Sequence, residues 1–228
     1  MSEIINFYTK IDDKLLKKTP NPNYADHNLN IPFRGVIVSP SGSGKTNFLV
    51  NLIRLFSHKN KGTFASIVVI TRNKDEPLYN YLAERKIQVL EGLRNTPDLD
   101  KYDSTEAHLV VFDDLVLAKD LKVVEEYYLR CRKMNVSVLF LSQRYYPVPK
   151  MIRENCNYLF ILKMGNVKDV KLIMSEMSLN VSKEQLMNMY NYATNEKFNV
   201  LLIDKETTDD SKKFRHNFLN YLDPNKFK

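Results

Sequence analysis

Eight residues, Ser39-Pro40-Ser41-Gly42-Ser43-Gly44-Lys45-Thr46, stand between an apolar β-branched run, Phe33 to Val38, and a segment of helical period from Lys45 to Phe56. Few sequence features constrain a fold more tightly. Glycines at 42 and 44 let the backbone enter conformations closed to other residues, so that successive amides turn inward around a common point. The helix that follows adds the positive end of its dipole and its unpaired first amides, which suits an anion. Lys45 and Thr46 then place a cation and a hydroxyl on the first turn.

Strand, glycine loop, Lys-Thr and helix in this order form the Walker A pattern, in which the lysine reaches the β- and γ-phosphates of a nucleotide and the hydroxyl binds Mg²⁺. The expected phosphate-binding set is therefore Ser41, Gly42, Ser43, Gly44, Lys45, Thr46 and Asn47. The pattern usually opens on glycine, whereas this chain has Ser39 at the strand exit, away from the cradle. Downstream, Leu109-Val110-Val111-Phe112-Asp113-Asp114 has the Walker B form of apolar strand followed by acid. It assigns Asp113 to the metal alongside Thr46, and Asp114 to the attacking water as orienting group or base. Gln143, at the end of the apolar run from Val136 to Leu141, lies on the ligand-binding edge of such a sheet. It is either a sensor of the γ-phosphate or a loop residue bonded to backbone.

Apolar strands alternate with helical segments along the rest of the chain. Strands are expected at Ala65–Ile70, Ile87–Leu90, His108–Phe112, Val136–Leu141, Tyr158–Leu162 and Asn199–Ile203. Helices are expected near Leu78–Arg85, Leu121–Lys133, Lys168–Met177, Lys183–Tyr192 and Lys212–Leu222. The implied fold is α/β: a three-layer α/β/α P-loop sandwich of RecA/ASCE-like type, with a mostly parallel central sheet and an extra strand between the Walker A and Walker B strands. Residues 1–31 read as a polar extension, 32–204 as the ATPase domain and 205–228 as a helical tail.

The formal charge of +7 favours polyanionic partners but does not by itself separate them from a solvated lysine-rich surface. Cys131 and Cys156 have no zinc or disulfide spacing and fit a reducing compartment. No apolar run is long enough to span a membrane and the N-terminus lacks a leader pattern, so a soluble intracellular protein is expected. The histidines at 27, 58, 108 and 216 lack metal-ligand spacing. Met174, Met177, Met187 and Met189 suit a core or a subunit contact. Tyr145 and Tyr146 either stack on bases or pack beside Pro147 and Pro149, with packing the better reading. Lys10, Lys14, Lys17 and Lys18, interrupted by Asp12 and Asp13, read as a solvated arm.

From Phe33 to Lys163 the chain resembles the FtsK/HerA superfamily of DNA-pumping ATPases, and within it the poxvirus-type packaging ATPases of large DNA viruses and virophages. The resemblance rests on SGSGKT at 41–46, LVVFDD at 109–114, and the run from Cys131-Arg132 through Ser142-Gln143-Arg144. It implies a homo-oligomeric ring that hydrolyses Mg-ATP and drives double-stranded DNA, without regard to sequence, into a viral capsid through capsid or portal components. Action at assembly sites in the host cytoplasm, or in association with the virion, follows from the same likeness. The family places a trans-acting arginine finger just before the fourth core strand, where Arg132 stands; Arg153 is the second choice. The chain departs from the family in having Asp114 where Glu is commoner. A nucleotide kinase and an ATP-dependent assembly switch are the competing functions for the same phosphate loop.

Overall fold

The computed structural model describes residues 4–12, 19–57, 61–177 and 179–228. Lys14, Lys17, Lys18, Asp13 and His58 lie outside them. Five strands rich in β-branched and aromatic residues form the centre: β1 (Arg34–Val38), β2 (Ser66–Thr71), β4 (His108–Asp113), β5 (Val136–Ser142) and β6 (Tyr158–Ile161). With β3 (Gln88–Glu91), β7 (Leu201–Asp204), β8 (Phe214–His216) and β9 (Asn220–Tyr221) they make one sheet in the order β3-β2-β4-β5-β1-β6-β7-β8-β9. Pairing is parallel from β3 to β6 and antiparallel from β6 to β9. The β5 strand thus lies between the two Walker strands, β1 and β4.

Alternation along the strands divides the apolar side chains between two layers. Ile37, Val69, Leu109, Val111, Leu139 and Leu141 face α2 (Lys45–Phe56) and α3 (Pro77–Ala83), which contribute Phe48, Leu49, Leu52, Phe56, Tyr79 and Leu82. Val36, Val38, Ile70, Val110, Phe112, Val138 and Phe140 face the other way. There α4 (Lys122–Arg130), α5 (Lys150–Asn155), α6 (Lys168–Glu176) and α7 (Lys183–Ala193) cover them with Tyr127, Tyr128, Ile152, Ile173 and Met189. Met177 joins this core and Met174 and Met187 pack against it. The result is the expected three-layer sandwich, and β5, buried at all seven positions, is its spine.

Two terminal segments differ from expectation. Residues expected in the polar extension pack on the fold from Asn21 onward: Asn23 donates to the carbonyls of Phe56 at 2.8 Å and Lys61 at 2.9 Å, and His27, in α1 (Tyr24–His27), is buried with its ring 4.1 Å from that of Phe56. Near the other end, Lys212–Leu222 forms β8 and β9, not the expected helix. Asn217 adopts φ 59°, which ends any helix and turns the chain, while the buried ion pair of Arg215 with Asp204 fastens β8 to β7. Both cysteines are free and buried.

Candidate active site

The strands β1, β4 and β5 all end at one edge of the sheet, which brings the separated motifs together. Ser39 leaves β1 fully buried, its amide donating to Ser142 O at 3.0 Å and its hydroxyl paired with that of Ser43. A serine therefore serves at this position through polar contacts of its own. Gly42 (φ 73°) and Gly44 (φ 95°) are both left-handed, and Gly44 caps α2. A cleft of about 340 Å³ follows, lined by Ser41, Gly42, Gly44, Lys45, Thr46, Asn47, Asp113, Asp114 and Gln143, with Pro40, Glu76 and Leu78 at its margin. Of the expected phosphate-binding residues only Ser43 turns its side chain away, donating to Pro40 O at 2.6 Å.

Inside the cleft the two Walker motifs touch. Lys45 Nζ lies 3.2 Å from Asp113 Oδ1, with both side chains largely buried. Asp113 Oδ2 accepts a hydrogen bond from the Tyr79 hydroxyl. Burial, and then the neighbouring Asp113 charge, push the Tyr79 phenol far above its ordinary range, outweighing the opposing Thr46 hydroxyl. Tyr79 is thus a fixed donor. Asp114 adopts φ 54°, which a short acid tolerates, and its Oδ1 accepts from Gln143 Nε2 at 3.1 Å.

The donor set suits Mg²⁺. Asp113 Oδ1 is buried with no hydrogen-bond donor, compensated only by the Lys45 charge, and Thr46 lies buried on the first turn of α2. A hard cation that keeps water and phosphate ligands needs few protein oxygens. Among the described residues no cluster of three or more His, Cys, Asp and Glu could hold a metal by itself.

The two candidate arginines lie elsewhere. Arg132 is exposed in the turn before β5, so a strand rising ~3.3 Å per residue holds it roughly 20 Å from its own phosphate loop. Its neighbour Arg130 is tied to Asp100 and Glu126, whereas Arg132 makes no ion pair among the described residues. Arg153 is largely buried, paired with Glu176 and 5.2 Å from the Tyr145 ring. Tyr145 itself is buried in the core, while Tyr146 is exposed.

Sequence reasoning missed Tyr79, which reaches Asp113 across 34 residues of chain with no motif to mark it. It also missed a groove of about 940 Å³ lined by four cations, Arg72, Lys74, Arg94 and Lys119, and by two acids, Glu91 and Asp114. Register aligns Thr71 with both Glu91 and Asp113, so the loops carrying these cations leave the sheet level with the acids. None of the four has an ion-pair partner among the described residues.

The fold compares with the genome packaging NTPase B204 of Sulfolobus turreted icosahedral virus 2, solved with ATP-gammaS, at a TM-score of 0.57 and 13% identity over 79% of this chain and 96% of that one. In sequence it is 25% identical, over 177 residues and 72% of its length, to the DNA packaging protein OPG160 of Monkeypox virus and to that of Vaccinia virus strain Copenhagen. The matches take in 58% and 64% of those relatives, so the chain corresponds to part of their length. The Poxvirus A32 protein family matches residues 23–216, a stretch that holds the phosphate loop, both acids, Gln143 and both arginines. By that match the chain belongs to the Poxvirus A32 protein family.

Proposed function

We propose that the chain binds Mg-ATP in the Ser41–Asn47 loop and hydrolyses it to move double-stranded DNA into a viral capsid. One observation carries the reading: Lys45, Thr46, Asp113, Asp114 and Gln143 line a single cleft although they come from three separate stretches of chain. The relatives named as DNA packaging proteins support the choice of polymer, and the four cations around the groove beside Asp114 suit a phosphate backbone held without base reading.

In this mechanism the loop amides and Lys45 hold the β- and γ-phosphates, with Lys45 exchanging the Asp113 carboxylate for phosphate oxygen. Thr46 and Asp113 would hold Mg²⁺, which neutralises charge on the phosphate oxygens. Asp114, aimed by Gln143, accepts the proton of the water that attacks the γ-phosphorus, and ADP leaves with the β-oxygen. Arg132 acts on the nucleotide of an adjoining subunit in a homo-oligomeric ring, since its own loop is out of reach. Arg153, held by Glu176, is the weaker finger. Portal or capsid components of the virus, at assembly sites in the host cytoplasm, are the proposed partners.

The test is Mg²⁺-dependent phosphate release by the full chain, with and without duplex DNA. Stimulation by DNA and loss in Lys45→Ala support the motor. Phosphotransfer to nucleoside monophosphates would replace it with a kinase, and a single turnover in both the parent and Asp114→Asn would replace it with a switch.

A further inference from the structure

The sheet order gives a bound nucleotide a direction. From β1 the acids lie toward β5 and β4, so the γ-phosphate end must point that way and the sugar and base the other, toward β6 and β7. At ~4.8 Å per strand, the mouth of β7 is roughly 10 Å from that of β1. Because β7 runs antiparallel to β6, the turn that enters it, residues 194–200, emerges at the same edge as the phosphate loop.

Phe198 occupies that turn. Its ring lies against Gly44, where an added Cβ would meet it at 2.3 Å, yet the side chain is 44% exposed. Lys197 Nζ sits 5.0 Å from the ring centroid. The backbone of Phe198 has φ 74°. Among the described non-glycine residues with positive φ, Asn28, Asn135, Asn180, Asn217 and Asp114 are types that tolerate it, whereas Lys86 and Phe198 are not, and of these two Phe198 is the aromatic one. A bulky residue held in this region is strained, and such strain gathers at ligand clamps. A turn needing only its shape would be served by asparagine or glycine.

We propose that Phe198 is the stacking platform for the nucleobase, with Lys197 at its rim, and that the site grips a purine by its face. This rests on the phosphate-loop reading above and adds the base end of the site to it. A face contact is common to all bases and stronger for larger ones. Affinity therefore falls from purine to pyrimidine triphosphates while adenine and guanine are weakly distinguished.

The chain contains no tryptophan, so Phe198→Trp introduces a single indole reporter at the site. Its emission is expected to be quenched by ATP and GTP and left unchanged by inorganic tripolyphosphate. In parallel calorimetry, Phe198→Ala should weaken ATP binding about tenfold or more while binding tripolyphosphate like the parent. Unquenched indole with ATP bound, or equal loss of ATP and tripolyphosphate affinity in Phe198→Ala, overturns the platform and leaves the phosphate loop standing. Failure of the parent to bind either ligand, with Lys45→Ala no different, overturns the loop reading and the platform with it.

Discussion

Tyr79 donates its hydroxyl proton to Oδ2 of Asp113, leaving Oδ1 facing Lys45. The acid is thereby held with one oxygen satisfied and the other presented to the cleft. Removing the donor in Tyr79→Phe strips a charged acceptor of its partner, which costs about 1–3 kcal/mol of stability. The same change should raise the Mg²⁺ concentration for half-maximal ATPase on the order of tenfold, since outer partners orient metal ligands. Urea denaturation and a Mg²⁺ titration of rate check the two effects separately.

Asp114 and Gln143 should separate by kinetics. Asp114→Asn removes the proposed proton acceptor and is expected to lower kcat on the order of 10²- to 10⁴-fold with nucleotide affinity retained. Gln143→Ala leaves the acid present but loosely aimed, so its loss should be smaller. Steady-state rates together with ATP binding by calorimetry decide this; equal, small effects would remove Asp114 from the water site.

Gly44→Ala combines a left-handed φ with a Cβ driven into the Phe198 ring. The expected outcome is a loss of about 1–3 kcal/mol in stability together with ATP binding. Adding Phe198→Ala opens the space but leaves the φ, so the double variant should recover only part of the stability. Thermal melts of the three variants measure the split.

His27 gives a pH dependence with a defined sign. Burial lowers its imidazole from 6.5 to about 4, against the opposing Asp26 charge and with a smaller push from Arg215. The unfolded chain takes up this proton below pH 6.5 and the folded chain only near 4, so stability declines as pH falls between these values and levels off below them. Comparing urea midpoints at about pH 7.5 and about pH 5 should show a smaller drop in His27→Gln than in the parent.

The basic groove predicts a salt signature. Replacing Arg72, Lys74, Arg94 and Lys119 together by alanine should flatten the slope of log affinity against log salt for duplex DNA by up to about 3.6, at ~0.9 per phosphate contact. Lys168→Ala with Lys171→Ala, on α6, should leave the slope nearly unchanged. Fluorescence anisotropy at several salt concentrations distinguishes the two sets.

Much of this was legible in the residues because the determinants are local. A run such as His108–Asp113 declares a buried strand and its acid in one stretch, and the glycine loop carries its own backbone requirement. What the sequence concealed depends on contacts between distant segments. Tyr79 shares the buried spacing of Leu82 on α3, and nothing local says that its hydroxyl meets Asp113. Phe214, Phe218, Tyr221 and Leu222 fall on a helical period, yet the left-handed Asn217 and the Asp204–Arg215 pair decide for strands. The six-residue α5 escapes the pattern because Pro147 and Pro149 dominate its surroundings. The docking of Asn23 and His27 depends on carbonyls and rings of α2 and its exit that sequence spacing cannot reveal.

The buried spine has a mechanical consequence. With β4 bonded along one side of β5 and β1 along the other, the strand cannot stretch or slip without breaking both ladders. Arg132 at its foot and Gln143 at its head therefore ride on one stiff rod. The proposed contact of Arg132 with an adjoining molecule would thus be linked, through the short turn that ends at Asn135 and then this strand, to the carboxylate of Asp114 that Gln143 meets.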